Sequence, residues 1–225
     1  MAVAKKSGAT AEPLFVSFER PQRKTLQIAI EGTPPGLLMH RFGHKAKAEM
    51  EDKQTKKATK GKEARDPEAE YEDCLYKLAK PNGTAYGFPA RGFKAALISS
   101  ASRFIKDFAR QSPTLRGAIF IAGEAPLLPE DGLLVPIYGE WIKHRSTVRL
   151  AGKTCSLAYR PLFERWTAEL FVTIDESVLS ADQLYAMVER AGCSVGIGDG
   201  RIERSEMDHG GWVLVDAPPS GALAS

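Results

Sequence analysis

Gly196, Gly198 and Gly200 alternate into Arg201-Ile202-Glu203-Arg204, and Gly210-Gly211 then leads into Trp212-Val213-Leu214-Val215. Glycines leave backbone N–H groups bare, and arginines present guanidinium forks. The two together suit a phosphate oxygen. The same glycines would also serve a plain hairpin turn, so the loop by itself leaves both readings open. Three other constellations carry less. His40 and His44, four apart, could share a helical face, but Gly43 lies between them and no nearby carboxylate completes a ligand set. Glu203, Glu206 and Asp208 could hold a divalent cation for phosphodiester cleavage, although they lie in a loop without supporting side chains. The GxGxG run at 196–200 sits late in the chain with no helix after it, unlike a dinucleotide fingerprint. With no P-loop, HExxH or GxSxG pattern either, the expectation is a chain without catalysis, metal or cofactor.

What does accumulate is positive charge interleaved with aromatic rings. His40-Arg41-Phe42 is followed by Lys45, Lys47, Lys53, Lys56, Lys57, Lys60, Lys62 and Arg65. Arg91, Arg103, Lys106 and Arg110 lie on one face of a helical stretch with Lys94 on its flank, against Asp107 alone. Arg201, Arg204 and Trp212 close the set. Cations that follow a sugar–phosphate backbone and rings that separate bases are what a single-strand binder needs.

These residues need elements to position them. Lys24–Glu31 alternates apolar and polar residues, as a half-buried strand does. Residues 43–66 are highly charged, without apolar period after Met50, and read as an inserted basic loop. Asp66-Pro67 opens a helix with early acidic residues. From Ala90 to Arg110, the residues Phe93, Leu97, Ala101, Phe104 and Phe108 recur at helical spacing and are expected to face the core. Strands are expected at 117–123, 133–138, 147–150 and 165–175, the last alternating Ala168, Leu170, Val172 and Ile174 inward. Ser180 and Gln183 form a capping-box pair, flanked by Leu179 and Leu184 as a staple. Gly192 is expected to end that helix, with a short strand at 193–197 and a last one at 212–215.

Stripped of insertions, the order is β-α-β-β-α-β, an α+β fold of ferredoxin-like or RRM-like type with a basic inserted loop and a C-terminal Gly-rich loop. The expected organisation is a flexible segment 1–23, one domain over 24–216 with an insertion at 41–66, and a flexible tail 217–225. At 225 residues and 43% apolar composition the chain can bury one core, and its net charge of +3 makes clustering, not total charge, the signal for a polyanion. Three scattered cysteines form no CxxC pair, which fits a reducing cytoplasm. No run of about 18 apolar residues suggests a membrane span.

Two stretches carry a resemblance. Tyr86-Gly-Phe-Pro-Ala-Arg-Gly-Phe-Lys-Ala-Ala-Leu97 resembles the first-helix region of the RAMP superfamily, the RRM-like backbone subunits of CRISPR effector complexes. Gly196-Ile-Gly-Asp-Gly-Arg-Ile-Glu-Arg204, followed by Gly-Gly-Trp, resembles their C-terminal Gly-rich loop. The chain is also similar, over roughly residues 25 to 215, to uncharacterised phage and prophage proteins, through Leu38–Phe42, Asp66–Tyr71 and Gly200–Arg204. It departs from the pattern where Ile202 follows Arg201 and where Gly211-Trp212 replaces a basic residue before the last strand. The resemblance implies a non-catalytic subunit in the cytoplasm of a bacterial host. It would bind single-stranded RNA or DNA, assemble with copies of itself along the strand and meet other effector or phage proteins. His40, Arg41, Phe42, Lys45, Lys47, Lys53, Lys56, Lys57, Arg91, Lys94, Arg103, Arg201, Arg204 and Trp212 are the expected strand contacts. The alternatives are a protein-only assembly or RAMP-mimicking inhibitory component, and a metal-dependent nuclease.

Overall fold

The computed structural model describes residues 20–41, 43, 47, 50–52, 54–55, 65–80, 83–104, 106, 111–149 and 155–215. The first strand, β1 (Arg23–Gly32), follows the alternation read from its sequence, with Ile28 and Ile30 buried. It is followed by β2 (Leu37–Leu38), α1 (Pro67–Asp73) and β3 (Tyr86–Pro89). Asp66 caps α1 by accepting the amide of Glu68 at 3.0 Å, and Pro67 occupies the first turn. The long helix α2 (Ala90–Phe104) is followed by α3 (Ser112–Ala118) and β4 (Ile119–Ile121). Then come a 3-10 turn (Pro129–Asp131), β5 (Leu134–Ile137), β6 (Ile142–Arg149), β7 (Cys155–Phe163) and β8 (Thr167–Asp175). The helix α4 (Ala181–Ser194) and β9 (Trp212–Leu214) complete the order.

The result is a mixed helix-and-sheet molecule with antiparallel pairing. The main sheet runs β4-β8-β1-β9. Leu26 pairs with Val172 and Ile30 with Ala168, which sets the inward-facing residues of β1 and β8 on one side. That side is covered by α2, through Phe93, Leu97 and Ala101, and by α4, through Leu184, Met187, Val188 and Ala191, all fully buried. The two helices also touch where the Ser100 hydroxyl donates to the Met187 carbonyl at 3.1 Å. The opposite side of the sheet is open: Thr25 and Thr173 share a hydrogen bond of 2.8 Å, Gln27 donates to Glu169, and Phe171 stays 42% exposed. A three-stranded sheet β2-β7-β6 and a two-stranded pair β3-β5 flank this layer. No helix among the described residues is long and apolar enough to cross a membrane.

Several expected elements differ. The 117–123 stretch does not form a fully buried strand. Its start belongs to α3, which Pro113 helps initiate, and β4 is a sheet edge with Phe120 46% exposed. The strand expected at 147–150 extends back to Ile142, and β7 goes unread because Pro161 and the interleaved charges argue against a strand. The described part of α2 ends at Phe104; residues 105 and 107–110 lie outside the described set. Gly192 does not end α4, and residues 193–197 are not a strand. The helix runs on to Ser194, and the Val195 and Gly196 amides both donate to the Ala191 carbonyl, with Gly196 at φ 70° making the exit. Gly192 serves a different need: a Cβ there would lie 2.1 Å from the Trp212 carbonyl oxygen, so β9 can close on α4 only over a glycine.

Candidate nucleic-acid interface

The Gly-rich loop between α4 and β9 is built onto its neighbours by backbone bonds. The Asp199 amide donates to the Leu38 carbonyl at 2.9 Å, and the Gly210 amide to the Gly36 carbonyl at 2.8 Å. Gly198 has φ 82°, and a Cβ there would meet the Leu38 oxygen at 2.4 Å, so this approach also requires glycine.

Two carboxylates fasten the loop in opposite directions. Asp199 accepts from Arg160 Nε on β7 at 3.1 Å and lies 3.6 Å from His40 Nδ1. Glu203 turns inward to α2, its side chain only 7% exposed. It accepts from the Ser99 hydroxyl at 2.5 Å, from Arg103 Nη2 at 2.9 Å and from Arg201 Nη2 at 3.4 Å. Burial pushes its carboxyl upward, but the Ser99 hydrogen bond and the two guanidiniums outweigh it and hold the group below the usual carboxylate range. The carboxylate is buried, whereas Arg103 and Arg201 remain 56% and 34% exposed. Each guanidinium has further N–H donors beyond the one that Glu203 receives.

Beside this pair, Phe104 ends α2 with its ring 48% exposed, and the Arg190 guanidinium of α4 lies 5.2 Å over the ring centroid. Arg190 therefore covers one exposed aromatic ring, while Arg103, next to Phe104 in the chain, and Arg201 share Glu203 at the Gly-rich loop, where Arg204 is also exposed. Such a group can bind backbone phosphates and offer a ring edge or face to a base.

The other expected contacts divide. Trp212 is 1% exposed; its indole N–H donates to the Val188 carbonyl at 3.1 Å and its ring packs 5.9 Å from that of Phe93, so it is a core residue and no base can stack on it here. Arg41 is 5% exposed, with Nε donating to both Asp131 oxygens at 2.7 and 2.9 Å and Nη2 to Glu130 at 3.2 Å. It ties the start of the insertion to the 3-10 turn and is not open to a strand. Lys47 Nζ also donates to Glu130, at 2.7 Å. Burial and the neighbouring Arg160 lower the pKa of His40 against the opposing pull of Asp199, which makes its imidazole a poor cation at neutral pH.

Arg91 is exposed in the first turn of α2, roughly 18 Å along the axis from Arg103. Lys94 donates to the Arg116 carbonyl at 2.6 Å and lies 5.0 Å over the Phe120 ring, with burial lowering its pKa. The fold does not bring Arg91 or Lys94 to Arg103. Phe42, Lys45, Lys53, Lys56, Lys57, Lys60, Lys62, Phe108 and Arg110 lie outside the described residues. Phe104, expected in the core, is at the surface, with the Arg190 guanidinium over its ring. Arg190 went unread because nothing in its spacing separates it from an ordinary polar helix face. Glu203 is engaged by cations, and among the described residues no three His, Cys, Asp or Glu side chains stand close enough to hold a metal ion.

No family model matches the chain, and a search of curated proteins finds no match to it.

Proposed function

We propose that this chain is a non-catalytic single-stranded nucleic-acid-binding protein, held to the strand by its phosphates. The observation that carries the reading is the pairing of Arg103 and Arg201 through Glu203 at the Gly-rich loop, with Arg190 over the exposed ring of Phe104, the residue after Arg103. The fold supports a ferredoxin-like, RRM-like core. With α2 between β1 and β4 and α4 between β8 and β9, the main-sheet elements follow one another as β-α-β-β-α-β, in the spatial order β4-β8-β1-β9. A RAMP-type relationship and a place in phage-encoded assemblies belong to the same proposal. Row-like self-assembly finds support in the open side of the sheet, where Phe120, Phe171 and Val213 are each more than 40% exposed.

Fluorescence anisotropy with a labelled single strand of DNA or RNA, across a salt series, tests the reading. Three phosphate contacts give a log–log salt slope of about −2 for single strands. The pair Arg103→Ala with Arg190→Ala should make that slope shallower by about 1.4. Binding that ignores salt, or no binding to either strand, would refute the proposal. Light scattering without nucleic acid separates out the protein-only alternative, which requires oligomers under those conditions.

A further inference from the structure

An open cleft of about 270 Å³ lies between α2 and α3, next to the arginine group. Its origin is plain in the spacing. Ala95, Ser99 and Arg103 recur every four residues along α2, and Ser112 and Arg116 stand four apart on α3, so each helix turns one polar-edged face toward the gap. Ala95 and Ile98 supply the apolar part of the lining. Arg103 comes from one wall and Arg116 from the other, and no carboxylate lines the cleft among the described residues. The carboxylate nearest by contact, Glu203, is already bonded to Ser99 and Arg103. Lys94 ties down the turn that carries Arg116 by donating to its carbonyl. The volume lies just under the range of pockets for drug-sized ligands, which fits one small heterocycle with its attached groups.

We infer that this cleft takes one nucleotide. The base lies against Ala95 and Ile98, its polar edge meets the hydroxyls of Ser99 and Ser112, and the phosphates on either side meet Arg103 and Arg116. The Ser99 hydroxyl spends its proton on Glu203 and keeps lone pairs for an exocyclic amine. This inference rests on the nucleic-acid reading and deepens it: the strand would lose one base from its stack into the cleft, with the flanking phosphates on the arginines. The shared chemistry is a phosphorylated flat heterocycle, free or within a strand.

The test uses the full chain with adenosine 5′-monophosphate, inorganic phosphate and a short single strand, followed by calorimetry or NMR shifts. Two variants probe the cleft. Ala95→Trp fills it from an exposed helix position, and Ser112→Asp places a carboxylate in its mouth at a helix start that tolerates acid. The expected result is weak mononucleotide binding that both variants reduce about tenfold or more, together with strand binding reduced several-fold. Strand binding that neither variant changes overturns the cleft and leaves the proposed function standing. Inorganic phosphate binding as well as the mononucleotide would overturn the placement of the base. A wild-type protein that binds no strand defeats the proposed function itself.

Discussion

Arg41→Ala separates a structural cation from a strand contact. Arg41 and Asp131 are 90 positions apart in the chain, and both side chains are almost wholly buried, at 5% and 7% exposure. The Arg41 Nε donates to both carboxylate oxygens at 2.7 and 2.9 Å. Removing the guanidinium leaves the Asp131 carboxylate buried without its main partner. Breaking a buried pair in this way costs about 3–5 kcal/mol. For a chain of this size each kcal/mol moves the melting temperature by about 2–4 °C, so the fall should be roughly 6–20 °C. Thermal unfolding by circular dichroism reads this directly, with strand affinity measured on the same samples below the transition. The expected variant is much less stable but binds with unchanged salt dependence. Replacing both partners together, Arg41→Leu with Asp131→Leu, should recover most of the loss, because no unpaired charge is then left inside. A variant that melts within about 2 °C of wild type yet binds strands more weakly would refute the reasoning and return Arg41 to the interface.

Three further outcomes follow. Gly192→Ala should destabilise by about 2–3 kcal/mol and change the near-ultraviolet signal of Trp212, since the added methyl falls 2.1 Å from the Trp212 carbonyl; a helical glycine with open space around it would welcome alanine. Burial, with the neighbouring His144 acting in the same direction, holds the His209 pKa below its ordinary value, against its hydrogen bond to Gly36 and the Asp199 and Asp208 charges. As pH falls through about 6.5 the unfolded chain takes up this proton first, so stability is full above that value and declines below it. His209→Asn should flatten part of that decline in melting curves taken between about pH 7.5 and about pH 5.5, and the lowered His40 should supply some of what remains. Glu203→Gln removes the counter-charge between Arg103 and Arg201 but keeps a hydrogen-bond acceptor. Strand affinity at low salt should rise several-fold with the slope kept, because a negative charge beside two phosphate contacts is gone, and an unaltered affinity would show that these arginines do not meet phosphate.

The parts of the fold that were legible depend on local pattern. The alternation of β8 and the capping box at Ser180 read correctly because each is satisfied within its own segment. What stayed hidden depends on partners distant in the chain. Trp212 looked like a surface ring beside two glycines, but its burial is decided by Gly192 and Phe93 on the two helices. Arg41 looked like part of a basic run, and only the fold shows that Asp131 receives it. Pro161 concealed β7, where the strand tolerates a residue that donates no hydrogen bond. At the candidate site, Arg103 and Arg201 were each legible as exposed cations. Their meeting through Glu203, and the arrival of Arg190 over Phe104, follow from how α2, α4 and the loop pack, which no spacing encodes.

The two carboxylates of the Gly-rich loop have a kinetic consequence. With Asp199 on β7 and Glu203 on α2, the segment between them is a short span fixed at both ends. Its conformational freedom is surrendered during folding, before any partner arrives. Docking onto it is then closer to rigid-body encounter than to folding on contact. Association should be fast and limited by electrostatic steering, with little loop-ordering entropy opposing it, and amide exchange at Gly200 and Glu203 should be slow already in the unbound protein.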